Sequence, residues 1–395
     1  MAAGCAVLAG LLGWASPGAA VPPTPAEASQ TCQLPTGLLE FTSGDQPRTY
    51  LIQFPAAAGP ATPMVISMHG AGGTAPGQQL VTGLSEDEPA PDADGPVGGT
   101  RVAAEVAAFA SLGTREGFIA VFPQARAEDS YIWDAAPDSI DVDFVVQLTE
   151  YLHAQGCSSP AITSVNGFSM GAMMTSRLMC VRPELYSGAA MVGGVLNPTA
   201  QCQVPPDKEI LVVHGAADTV VPLDGSLNPY LEAAAGPDSV STVDRVGIAA
   251  NWASNKDCPS PGWTTPGWNR VTDLSCPRST TLAVVGLVMA HTWDSPGINT
   301  SRLVWAALRP PPACIVTPPS PPNPAMAAAL DRAAAEDIAF RVEFGNLIKA
   351  QMSCNPHVRS AVVDGIRTTV AADPNGMVAQ QIAFAIRETA RIAAG

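Results

Sequence analysis

From Pro63 onward, short continuously apolar runs alternate with longer stretches of mixed polarity. The runs Pro63-Met-Val-Ile-Ser-Met68, Gly117-Phe-Ile-Ala-Val-Phe122, Ala161-Ile-Thr-Ser-Val165, Ala189-Ala-Met-Val-Gly193, Ile210-Leu-Val-Val-His214 and Thr281 to Met289 are too short for helices. They read as buried strands. Between them, helices are expected near 100–112, over Asp141 to His153, after residue 171, near 241–254 and over Ser301 to Leu308. Strand and helix taking turns is the signature of an α/β fold, with a mostly parallel central sheet and helices on both faces. Residues 33–60 read as further strands and turns. No internal repeat is apparent.

Both ends depart from this rhythm. Residues 1–28 hold the apolar stretch Met1 to Trp14, then small residues that suit cleavage after Ala20 or Ala28. That reads as a signal peptide, although its basic beginning is missing and the first positive charge is Arg48. At Arg309 the character changes again. Pro310 to Pro324 forms a stiff proline-rich linker, and 325–395 reads as an α-helical appendage with Phe340, Phe344, Leu347 and Ile348 on one face. A second helix is expected near 376–393. The alternating unit between the ends, 33–309, is the expected catalytic domain.

Composition narrows the function. The 395 residues are 47% hydrophobic and only 14% charged, ample for a large core, and the formal net charge is −15. That balance excludes nucleic acid and anionic membrane surfaces as partners, since both need a cationic face. It fits an extracellular protein acting on neutral or weakly charged material. Outside the signal segment there are eight cysteines, an even number that suggests disulfides in an exported chain. Local spacing favours Cys180 with Cys202 and Cys258 with Cys276. Cys314 with Cys354 would staple the appendage, leaving Cys32 for Cys157. With no C-x-x-C pair, a zinc or redox site is not expected. The acidic stretch 85–95 has Asp87, Glu88, Asp92 and Asp94 in a spacing that matches no calcium loop, so it reads as a solvated insertion. Neither a metal nor a cofactor is expected.

The chemistry centres on Gly167-Phe168-Ser169-Met170-Gly171, a G-x-S-x-G pattern between a strand and a helix. That context forces a serine onto a sharp turn with its hydroxyl exposed. Near neutral pH the hydroxyl needs a base, and the base needs an acid to orient it. The chain order for such a site is Ser, then Asp or Glu, then His, each following a strand. Of the five histidines, His69 precedes the serine, His153 falls in a helix, His214 ends a buried strand and His357 lies in the appendage. His291, after the last expected strand, is the only one with the right order and placement. Asp218, four residues past His214, is the preferred acid. Asp224 reads as a turn residue, and Asp294 is too close to His291. Oxyanion donors are expected from the backbone N–H of Met170 and from the loop His69-Gly70-Ala71-Gly72-Gly73, at Ala71 or Gly72. Trp133 and Trp293 are candidates to line the substrate cleft.

These motifs assemble into a resemblance. His69-Gly-Ala-Gly-Gly73, Gly117-Phe-Ile-Ala-Val-Phe-Pro123, Trp133, Asp141-Val-Asp-Phe-Val145, Gly167-Phe-Ser-Met-Gly-Ala-Met-Met174, Val213-His-Gly-Ala-Ala-Asp218 and His291-Thr-Trp293 follow one another in that order. Over roughly 35–308 the chain resembles the secreted esterases described as polyhydroxybutyrate depolymerase-like or feruloyl esterase-like. The resemblance implies an α/β-hydrolase fold without a large lid and a triad of Ser169, Asp218 and His291. The expected activity is a secreted serine carboxylesterase working through an acyl-enzyme on feruloyl or acetyl esters of polysaccharide. A short-chain polyester depolymerase is the alternative. A peptidase is more distant, and a non-catalytic surface-binding protein on the same scaffold has no need of an intact triad. The acidic insertion and the appendage fall outside the resemblance.

Overall fold

The computed structural model describes residues 32–82, 112–198, 202–225, 245–255 and 263–310, with gaps at 57, 114, 266–268, 274–278 and 280, together with residues 338, 339, 342 and 346. The expected signal segment, the acidic stretch, the expected linker from residue 311 and most of the expected appendage lie outside these residues. So do the expected helix at 100–111 and the cysteines at 258, 276, 314 and 354.

Ten strands form one sheet in the order β1-β2-β4-β3-β5-β6-β7-β10-β9-β8. They are β1 Gly37–Ser43, β2 Gln46–Gln53, β3 Met64–Met68, β4 Ile119–Pro123, β5 Thr163–Phe168, β6 Gly188–Val192, β7 Glu209–Gly215, β8 Trp263–Thr265, β9 Asn269–Asp273 and β10 Thr281–Gly286. The block from β4 to β10 is parallel, while the pairs that involve β1, β2, β8 and β9 are antiparallel. The helices are α1 Ala75–Val81, α2 Ile140–Ala154, α3 Met170–Val181, α4 Arg245–Asn255 and α5 Thr300–Leu308.

The apolar runs are continuous because both faces of the parallel block are covered. Alternate residues of one strand enter different cores. Ile210 and Val212 of β7 join Ala189, Met191 and Ala283 on the face packed by α2, α3 and α4. Leu211 and Val213 join Ala190, Val192, Leu282 and Val284 on the opposite face, against α5. Beyond α5, the helical positions Ile338, Ala339 and Val342 are buried in that second core, and Asn346 Nδ2 donates to the Ala306 carbonyl at 3.0 Å.

The elements depart from expectation where the apolar pattern is weak. Residues 75–81 form helix α1 despite Pro76 and Gly77, because Thr74 Oγ1 accepts the Gly77 N–H at 3.0 Å and the proline sits in the first turn. Strands β8 and β9 lack an apolar run and pair antiparallel at the sheet edge. Strand β10 stops at Gly286, whose carbonyl accepts the Met289 N–H in a turn. Cys32–Cys157 and Cys180–Cys202 are disulfide-bonded. The first ties the chain ahead of β1 to the end of α2, and the second ties the end of α3 to the loop before β7.

Candidate active site

In a parallel sheet the carboxyl ends of all the strands emerge on one side. There the loops after β3, β5, β7 and β10 bring together residues more than 200 positions apart in the chain. The turn after β5 is the tightest. Ser169 has φ 55° and ψ −118°, a backbone state that costs an L-residue strain. The glycines two residues to either side make the turn possible. A Cβ at Gly167 would lie 2.2 Å from the Gly171 carbonyl, and one at Gly171 would lie 2.2 Å from the Met68 carbonyl oxygen. The Ser169 N–H donates to the Val192 carbonyl at 2.8 Å, and its own carbonyl receives the Ala172 N–H at 3.0 Å. The turn is therefore stitched to β6 on one side and to α3 on the other.

Ser169 Oγ lies 2.9 Å from His291 Nε2, and His291 Nδ1 lies 2.7 Å from Asp218 Oδ2. An ionised carboxylate only accepts, so His291 carries its proton on Nδ1 and presents the Nε2 lone pair to the serine hydroxyl. The Asp218 side chain is fully buried. Burial works against its charge, but hydrogen bonds from His291 and from the Val221 N–H, with the positive charge of a protonated imidazole, hold its pKa below the ordinary value. Oδ1 accepts the N–H groups of Val220 and Val221 at 2.9 Å each. The loops after β7 and β10 are themselves joined, since Ala216 N–H donates to the Gly286 carbonyl and Ala217 N–H to the Met289 carbonyl. The acid and the base thus share one frame.

Neither expected oxyanion amide, that of Met170 at the start of α3 or that of Ala71, has a protein partner among the described residues. Gly72 differs from expectation. Its N–H donates to the Tyr131 carbonyl at 3.0 Å, so it is committed to holding the loop and is not a free donor. The two tryptophans also differ from expectation. Trp133 is wholly buried, and its indole N–H donates to the His69 carbonyl at 2.8 Å. Trp293 is 4% exposed, with its indole N–H on Ser301 Oγ at 3.0 Å. Neither offers a face to a ligand. Their motifs mark structural anchors of the His69 and His291 loops.

Three further residues shape the site. Phe168, next to the serine, packs its ring 4.9 Å from the His291 imidazole. His214 Nε2 lies 2.7 Å from the Val221 carbonyl and 3.6 Å from Asp218 Oδ2, bracing the acid's loop. His69 Nδ1 donates to the Gly70 carbonyl at 2.7 Å, and its Nε2 accepts the Ala125 N–H at 3.1 Å. Position at a strand's carboxyl end is the signal that His69 and His214 share.

A family model described as Phospholipase/Carboxylesterase matches residues 141–241. Among curated proteins, "Putative esterase NocK" of Nocardia uniformis subsp. tsuyamanensis is 29% identical over 208 residues, which are 51% of this chain and 54% of that protein. The match thus spans about half of the relative's length. Among solved structures, the acetyl xylan esterase from Aspergillus awamori is similar at 15% identity and a TM-score of 0.42, over 65% of this chain and 94% of that one. An acylaminoacyl peptidase of Pyrococcus horikoshii is similar at 12% identity and a TM-score of 0.39, over 67% and 39%.

Proposed function

We propose that this α/β-hydrolase is an exported serine carboxylesterase acting on feruloyl or acetyl esters carried by a polysaccharide. The observation that carries the reading is the continuous hydrogen-bonded line Ser169–His291–Asp218 at the carboxyl end of the parallel sheet, with the amides of Met170 and Ala71 unpaired among the described residues. The family model and the curated relative, both of esterase description, support the same reaction class.

In this reading His291 Nε2 takes the hydroxyl proton as Ser169 Oγ attacks the ester carbonyl carbon. Asp218 holds the imidazole in the required tautomer and stabilises the positive charge it gains. The tetrahedral oxyanion is received by the N–H groups of Met170 and Ala71. His291 then returns the proton to the departing alkoxide, leaving an acyl-enzyme. Water, deprotonated by the same imidazole, attacks the acyl carbon and releases the acid and the free serine. Residues 33–309 form the catalytic unit, and 325–395 are read as an accessory segment. The two disulfides support export. No helix among the described residues is long and apolar enough to cross a membrane.

The test has two stages. Ser169→Ala should abolish hydrolysis of p-nitrophenyl acetate, and retained turnover would remove the mechanism. A panel of methyl ferulate, acetylated xylan and poly(3-hydroxybutyrate) then ranks the substrates, and preference for the polyester would replace the polysaccharide reading.

A further inference from the structure

A groove of about 530 Å³ opens beside the oxyanion loop, lined among others by Glu40 of β1, Thr49 of β2, Thr74, Gln124 and Glu128. We infer that it is a second binding site, which seats the hydroxyl-rich chain of a neutral glycan while one of its ester groups reaches Ser169. This inference rests on the esterase reading above.

Position is the first argument. Gln124 to Glu128 follow the carboxyl end of β4, and Tyr50 of the antiparallel β2 pairs with Pro123 there. The groove is therefore at the end of the sheet where Ser169 emerges. From β5 the sheet order runs β3, β4, β2, β1. At about 4.8 Å per strand, β4 lies roughly 10 Å and β1 roughly 19 Å from the serine's strand. An acetyl group cannot span that distance, whereas a polymer attached to the alcohol oxygen can. Its path crosses Ala71 and Gly72, which are exposed.

Chemistry is the second argument. At the edge of the groove Arg48 is 4% exposed, with its guanidinium on Asp141 at 2.7 Å. The hydroxyls of Thr49 and Thr74 in the lining can donate to a ligand oxygen. Glu40 and Glu128 are exposed acceptors for hydroxyl groups. The cations bring no net positive charge, because Arg48 is paired with Asp141 and Arg126 with Asp129. With two further carboxylates at the groove, a polyanion is repelled. An aliphatic polyester, which has no hydroxyl donors along its chain, leaves both carboxylates unanswered. A neutral hydroxylated chain meets donor and acceptor alike.

The groove is rigidly tied to the reaction centre. Gln124 Oε1 accepts the Ala75 N–H at 2.7 Å, Ala125 N–H donates to His69 and Gly72 N–H donates to Tyr131. A chain seated there is held in a fixed relation to the oxyanion donors.

The test compares Thr49→Trp, which fills the groove, and the Glu40→Ala/Glu128→Ala pair, which removes its acceptors. Both should raise KM for acetylated xylan by about tenfold with kcat preserved, the size expected for lost hydrogen bonds to charged groups. Turnover of p-nitrophenyl acetate should stay unchanged, which also reports that the variants fold. Equal loss on both substrates, no loss on either, or loss confined to poly(3-hydroxybutyrate) would overturn the inference. A wild-type protein inactive on p-nitrophenyl acetate would count against the esterase reading instead. The groove would still be read by calorimetry of xylan oligosaccharides with Ser169→Ala, where binding abolished by adding Thr49→Trp supports it. Binding unaffected by that substitution, or absent altogether, overturns it.

Discussion

His69 Nδ1 donates a hydrogen bond to the carbonyl of its own neighbour, Gly70, at 2.7 Å. Because a peptide unit is planar and trans, fixing the Gly70 carbonyl also fixes the direction of the Ala71 N–H, on the opposite side of the same unit. The imidazole is held in turn by Ala125 N–H at 3.1 Å and Gln124 Nε2 at 3.2 Å. In the proposed mechanism His69 therefore aims the Ala71 donor and is a positioning residue. His69→Ala should lower kcat on p-nitrophenyl acetate by about tenfold to a hundredfold with little change in KM, less than the loss of a whole oxyanion donor. His69→Asn, which can still donate to the carbonyl, should recover part of the rate. A change confined to KM, or no recovery, would show that the histidine only fills space.

Asp218→Asn tests the orientation of His291. Asp218 Oδ1 is held by two backbone N–H groups, so an asparagine places its carbonyl oxygen there and turns its NH₂ toward His291 Nδ1. A donor facing that nitrogen favours the tautomer with the proton on Nε2, where it cannot accept from Ser169. The expected loss in kcat is about 10⁴-fold, by analogy with the same exchange in a serine protease, with the fold retained by circular dichroism. A loss under tenfold would mean that the tautomer is not what Asp218 supplies.

The parallel core was legible because each strand is buried on both faces, which leaves an unbroken apolar run such as Ile210 to Val213. The triad candidates were legible because each follows such a run. Strands β8 and β9 were not, since an edge pair needs no continuous apolar stretch. The tryptophans misled for a related reason. A motif position says that a ring is needed, but only packing says that Trp133 spends its N–H on the His69 carbonyl. Gly72 was misread because a glycine loop shows where amides can turn, while the partner that claims one, Tyr131, lies 59 residues away and itself has a φ of 59°.

Burial lowers the pKa of both His69 and His153 to about 4. In the unfolded chain each titrates near 6.5, so between pH 6.5 and 4 the unfolded state binds more protons than the folded one. Stability from this source is full above pH 6.5, falls as the pH drops and levels off below about 4. Thermal melts should therefore show a declining Tm over that window, before the carboxylates that support Asp218-type bonding begin to protonate. His153→Gln, which can donate to Thr163 Oγ1 as the imidazole Nε2 does at 2.9 Å, should flatten part of the decline. A Tm independent of pH from 7 to 4.5 would contradict it.

The backbone at Ser169 supplies a prediction about stability that activity alone would miss. With φ at 55° the residue is strained by roughly 1–3 kcal/mol, and alanine at the same position carries the same Cβ and the same strain. Glycine does not, but it gives the unfolded chain extra freedom, worth about 0.4–1 kcal/mol against folding. Both substitutions remove the hydroxyl and its bond to His291, so their difference isolates the backbone. Ser169→Gly should therefore be more stable than Ser169→Ala by about 0.5–2 kcal/mol in urea unfolding, while both are inactive. Equal stability would mean that the turn is relaxed, and that the approach of Gly167 to Gly171 alone shapes it.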